Sequence, residues 1–120
     1  MTEKELRFFI NDVLKDRPNV YFWFHKNDPY DGWSYGVQEK QMAFCSFTFE
    51  YNRSMLEVKC SEEDTEEFQR LCSTVQRDIV SRRKSSVYLS ANRIQPEDLR
   101  PIIEFAHAAM MKRRGEGEQR

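Results

Sequence analysis

Leu6, Phe9, Ile10, Val13 and Leu14 recur at i, i+3, i+4, i+7 and i+8, one apolar stripe that predicts a helix over residues 2–16. Thr2 and Glu5 stand at capping-box spacing at its start. The run Asp16-Arg17-Pro18-Asn19 ends it, because the residue before a proline is pushed out of helical geometry. The period then changes. VYFWFH (20–25) reads as a strand, KNDPYDG (26–32) as a loop and WSYGVQ (33–38) as a second strand. After a tight turn at Glu39-Lys40, QMAFCSFTFEY (41–51) is a long third strand, apolar on both faces at its start and alternating later. MLEVKC (55–60) follows the turn YNRS as a fourth strand.

Ser61, with Asp64 three residues on, marks the start of a second helix over 62–75, and the acids crowding its first turn complement the helix dipole. Thr65, Phe68, Leu71, Cys72 and Val75 form its inner stripe. VYL (87–89) is a short fifth strand. Pro96, followed by Glu97 and Asp98, opens a third helix over 96–111, with Leu99, Ile102, Ile103, Ala106, Ala109 and Met110 on its core face. Pro101 is expected to distort its first turn, and the polar, glycine-containing residues 112–120 to fray. The order α-β-β-β-β-α-β-α with short connections predicts an α+β fold: an antiparallel sheet of four or five strands with helices on one face. Residues 1–111 form a single domain in this reading, with Leu6, Ile10, Val58, Leu71, Leu89 and Ile103 in one core.

No run approaches the roughly 20 apolar residues of a membrane span. The N-terminal segment interleaves apolar residues with charges, unlike a signal peptide, so a cytoplasmic protein with no membrane partner is expected. Three cysteines, Cys45, Cys60 and Cys72, without a CxxC pair indicate neither a disulfide framework nor a zinc knuckle. The net charge of −1 hides an asymmetry: residues 1–75 carry 9 Lys and Arg against 14 Asp and Glu, a net of −5, and residues 76–120 carry 10 against 6, a net of +4.

Catalytic chemistry has little support. A nucleophile needs a base in reach; the histidines are His25 and His107, and the cysteines sit where core cysteines belong. None of the four glycines has phosphate-loop spacing. His25, Asp28 and Asp31 would align as metal ligands only on a helix, and Pro29 and Gly32 make that segment a loop. The acids Glu62, Glu63, Asp64, Glu66 and Glu67 read as a solvated helix start. No enzyme, metal or cofactor is expected.

Two features stand out. Residues 21–51 hold 11 of the 16 aromatic residues. Most belong under the helices, but the consecutive Tyr21, Phe22, Trp23 and Phe24 must point to both faces of a sheet. Tyr21, Trp23, Tyr30 and Trp33 are therefore the candidate residues for a partner surface. The second feature is SRRKSS (81–86), read as a surface turn between helix and strand. Arg77, Arg82, Arg83, Lys84 and Arg93 could hold phosphates, with Lys112, Arg113 and Arg114 added if the last helix ends beside that turn.

The segments YGVQEKQMAFCSF and LEVKCSEEDTEEFQRL, with Val37, Lys40, Met42-Ala43-Phe44, Val58-Lys59-Cys60 and Glu63, resemble the MmcQ/YjbR-like family of small bacterial proteins. SSVYLSANRIQPEDLRPIIEFAH is similar to that family's last strand, turn and helix. The chain departs from the pattern at Ser86-Val87, where the family often has a Trp, and at Ala106-His107, where it often has Ser-Tyr. The resemblance implies a frataxin-like α+β fold with a double-wing arrangement of hairpins and a DNA-binding role, and it carries no catalytic residues across. The expected function is thus a non-enzymatic binding protein that contacts DNA through its basic C-terminal half. The alternative is a protein-interaction module or small chaperone-like adaptor, monomeric or homodimeric, that uses the aromatic and acidic N-terminal half.

Overall fold

The computed structural model describes residues 2–27, 30–50, 53–82, 85–90 and 95–118, and only the backbone of residues 3, 26–27, 30–31, 49–50, 53–54, 76–82 and 117–118. The fold is α+β with an antiparallel sheet, as the pattern predicts. Its elements are α1 (Glu3–Leu14), β1 (Tyr21–Asn27), β2 (Tyr30–Gln38), β3 (Gln41–Glu50), β4 (Arg53–Lys59), α2 (Thr65–Cys72), β5 (Ile79–Arg82), β6 (Ser86–Ser90) and α3 (Pro96–Glu118). The sheet order is β1-β2-β3-β4-β6-β5. β5 is a short strand beyond those expected; it pairs with β6 where the sequence reading had a helix end and a turn. The basic run therefore lies between two strands rather than between a helix and a strand.

Strand pairing brings the apolar positions into two rows. Trp33, Phe47, Leu56 and Leu89 stand opposite one another across β2, β3, β4 and β6, and Tyr35, Cys45, Val58 and Val87 form the next row. All eight are buried. The alternation of strand side chains puts both rows on one face, which the helices cover. α3 packs on β2, β3 and β4, and α1 and α2 pack on α3. Leu6, Ile10, Val58, Leu89 and Ile103 lie in one core, with Leu71 half-buried against it.

Local signals hold in different ways. Thr2 caps α1 by accepting the Glu5 amide at 3.2 Å. Ser61 instead opens a 3₁₀ turn, Glu62–Asp64, and its hydroxyl donates to the Asp64 carboxylate at 2.7 Å. α2 proper starts at Thr65. α3 absorbs Pro101 and continues through Glu118, past the point where the sequence suggested fraying. Tertiary contact explains the extension: Lys112 reaches Asp64 at 3.7 Å, and Arg113 and Glu116 line a cleft against β3 and β4.

The start of β3 is apolar on both faces because of a β-bulge. Tyr35 pairs with Cys45 but Gly36 with Ala43, so Phe44 is an extra residue, and Phe44 and Cys45 are both buried. Met42 has a φ of +53°, a left-handed conformation that costs a methionine on the order of 1 kcal/mol.

His107 joins α3 to the segment after α1. Its ring is buried, stands edge-on to Phe44 with centroids 5.3 Å apart, and its Nε2–H donates to the Pro18 carbonyl at 2.8 Å. Arg17 and Glu104 pair at 2.6 Å beside it. Burial pushes the His107 pKa below the ordinary value and the charge on Arg17 adds to this, against the opposing effect of the Pro18 bond. The unfolded chain therefore takes up the proton first as pH falls below about 6.5, and the stability His107 confers is full above that pH and declines below it. His107→Ala should cost roughly 2–3 kcal/mol at pH 7.5, from the lost hydrogen bond and ring packing. The drop in urea midpoint between pH 7.5 and 5.5 should be smaller in His107→Gln than in the native protein; an equal drop in both would assign the pH dependence to other groups.

Candidate functional site

β1 is an edge strand: β2 is its one neighbour among the described residues. The β1–β2 hairpin is tighter than the sequence suggested, since Lys26 and Asn27 pair with Asp31 and Tyr30, and residues 28–29 alone separate the strands. The proposed 26–32 loop is mostly sheet. Asp28 lies outside the described residues, and so do the side chains of Tyr30 and Asp31.

The two inner rows run on into β1, where Phe24 stands opposite Trp33 and Phe22 opposite Tyr35. The helical cover stops short of them. Phe24 is 63% exposed and Phe22 37%. Their rings meet edge-to-face at 4.8 Å, and the Arg7 guanidinium of α1 lies 5.2 Å from each ring centre. The next residue of α1, Phe8, is 64% exposed. Trp33, one of the candidates for the partner surface, is fully buried: it stacks on Phe47 at 5.1 Å with its plane 4° from parallel. Its position one strand inward and on the helix-covered face is the reason. Phe22 and Phe24, absent from the candidate set, are the exposed pair. Alternation could have found them had the inner face of β1 been assigned.

On the opposite face Tyr21 is exposed, while Trp23 and His25 are half-buried. Both lean across onto glycines of β2. A Cβ on Gly36 would come within 2.7 Å of the Trp23 ring and 2.5 Å of the Gln41 carbonyl oxygen. One on Gly32 would come within 2.8 Å of the His25 ring and 2.0 Å of the Phe47 carbonyl oxygen. The middle of this face is polar and small, with the Ser34 and Ser46 hydroxyls hydrogen-bonded at 2.9 Å. No helix among the described residues packs on it. β1 thus presents an open backbone edge with aromatic side chains on both faces.

The cations do not form one described surface. The side chains of Arg77 and Arg82, and residues Arg83, Lys84 and Arg93, lie outside the described residues. Lys112 pairs with Asp64, and Arg113 shares its cleft with Glu62, Glu63 and Glu116. Arg114 is half-buried on the same helix. This cleft, of about 670 Å³, also takes in Met42, Lys59 and Cys60, a mixture of charges rather than a phosphate cradle.

The thiols of Cys45 and Cys60 are held protonated near neutral pH. Cys60 donates to the Ser61 carbonyl at 3.2 Å, and burial, helped by the Asp64 charge, raises its pKa to about 11. Burial likewise raises that of Cys45. Among the described residues no three His, Cys, Asp or Glu side chains converge as metal ligands.

Gly36→Ala should destabilise the protein by about 1–3 kcal/mol, since the new methyl must move Trp23 and the Gln41–Met42 backbone. A thermal melt checks this, and Trp23→Ala on the Gly36→Ala background should recover only the part due to the ring. An unchanged melting temperature in Gly36→Ala would contradict the close packing.

Comparison of the chain with protein-family models, with curated proteins and with solved structures finds no match in any of the three.

Proposed function

We propose that the protein is a non-enzymatic binding protein that takes up a protein partner along the outer edge of β1. One observation carries this reading: a seven-residue edge strand with no register shift displays exposed Tyr21, Phe22 and Phe24 along a side that no other described strand pairs. Such an edge is a template for strand addition, where main-chain hydrogen bonds supply affinity and alternate side chains supply selectivity. Titration of labelled extended octapeptides, followed by anisotropy, tests it. Aromatic-rich peptides should bind, N-methylation of alternate amides should abolish binding, and Phe24→Lys should weaken it roughly 10-fold or more, as loss of a central aromatic anchor does. Binding indifferent to Phe24→Lys would overturn the reading.

The β5–β6 pairing favours a second reading. Arg82 pairs with Val87, so β5 and β6 run antiparallel at the edge of the sheet opposite β1, and Arg83 and Lys84, which follow Arg82 in the chain, lie outside the described residues. A hairpin of this kind with a net +4 over residues 76–120 suits contact with phosphates of duplex DNA. The resemblance to the MmcQ/YjbR-like proteins supports the same reading. Replacing Arg82, Arg83 and Lys84 by alanine should leave folding intact and reduce the slope of log K against log salt for binding to random duplex DNA by roughly one per lost phosphate contact. An unchanged slope in the triple variant would leave the run as a solvated turn.

A further inference from the structure

We propose that the partner taken up at β1 is a second copy of this chain, paired antiparallel about a two-fold axis through Phe24. This rests on the reading of β1 as a strand-addition edge. The strand reads Tyr21-Phe22-Trp23-Phe24-His25-Lys26-Asn27, with Phe24 at its midpoint. Reversed on itself about that residue, it pairs over its whole length. Phe24 meets Phe24, Trp23 meets His25, Phe22 meets Lys26 and Tyr21 meets Asn27. At the centre Phe24 with Phe24 and Trp23 with His25 are aromatic with aromatic, a combination that stabilises neighbouring strands. The one charged residue of the strand, Lys26, is never opposite itself. A shift of two residues, to a centre at Trp23, leaves the end of the strand unpaired.

The axis stands perpendicular to the sheet, so both helical layers fall on the same side. The inner row Leu89–Leu56–Phe47–Trp33–Phe24 then continues through Phe24 of the second copy into the same row in reverse. Phe24, 63% exposed in the single chain, gains cover from both sides. The result closes as a dimer, the commonest symmetry of soluble assemblies.

The contrast between the two edges supports a β1–β1 junction over an open β1–β5 chain of copies. β5 is four residues long, is interrupted by a register shift between Ile79 and Ser81, and has Arg82 in it. Short, bulged, charged edges are the ones that resist pairing. β1 carries one charge, Lys26 near its end, and lacks the other protections: it is longer, continuous and contains no proline.

Sedimentation equilibrium of the full chain from about 1 to 200 μM, a range that brackets micromolar self-association, provides the first arm. The native protein should dimerise. Phe24→Lys, with its fold checked by circular dichroism, should weaken dimerisation roughly 10-fold or more. The second arm is covalent. Under mild oxidation two Phe24→Cys chains should each lose a thiol hydrogen, with the added oxidant reduced, to form one intermolecular disulfide across the axis. Tyr21→Cys should not, because its copies stand about 20 Å apart at the ends of the junction. Cys45, Cys60 and Cys72 are buried and leave the native background silent. A dimer that survives Phe24→Lys, or a Tyr21→Cys chain that cross-links as readily as Phe24→Cys, would overturn the pairing. A monomer at 200 μM that still binds aromatic octapeptides through Phe24 would overturn the second copy and leave the edge reading standing; a monomer that binds none would end both.

Discussion

One face of the sheet has to be kept from water, and most of the molecule follows from how that is done. The rows through Trp33–Phe47 and Tyr35–Cys45 put large apolar side chains across four strands, and burying each is worth on the order of 1.5–3 kcal/mol. α3 packs on β2, β3 and β4 of these rows, and α1 and α2 pack on α3. His107 and the Arg17–Glu104 pair tie the end of α1 to α3, which fixes where α1 can sit. The cover ends before the sheet does. At β1 the same rows emerge as Phe24 and Phe22, with Arg7 stretched over them in place of a packed core. The exposed aromatic edge is thus the margin of the core.

The β2–β3 pairing shows how a local irregularity serves that core. A regular strand could bury Phe44 or Cys45, not both. The bulge turns both inward, and the accompanying kink leaves Met42 in a left-handed conformation and brings the Gln41 and Met42 carbonyls down on Gly36. Gly36 is required there by close approach of backbone rather than by an unusual dihedral of its own. Its missing side chain also gives Trp23 a seat, so the outer aromatic of β1 is positioned by the same feature that completes the core.

Charge and aromaticity are separated along the sheet. The aromatic edge is β1; the β5–β6 pair is at the far side, with β2, β3 and β4 between them. The C-terminal cations of α3 do not simply extend the basic hairpin, because Lys112 and Arg113 sit beside acids of the 61–64 segment and Glu116. The +4 of the C-terminal half is therefore partly spent within the fold. These arrangements favour contact by the β1 edge as the leading functional reading.

Periodicity alone determined the class and every element but β5. A 3.6-residue stripe at Leu6–Leu14 and a two-residue alternation through β3 and β4 are local, and short connections leave antiparallel pairing as the outcome. The capping of α1 by Thr2 was legible for the same reason. The tertiary structure decided what depends on neighbours distant in sequence. Trp33 and Phe24 are both aromatic strand residues on one face, but Trp33 is buried and Phe24 exposed because one lies under the helical layer and the other beyond its margin. β5 became a strand because β6 offered it an edge. α3 ran on to Glu118 because Asp64 and the cleft gave its polar end something to hold. A sequence shows which residues can face inward; how far the cover reaches is set by helices packing in three dimensions.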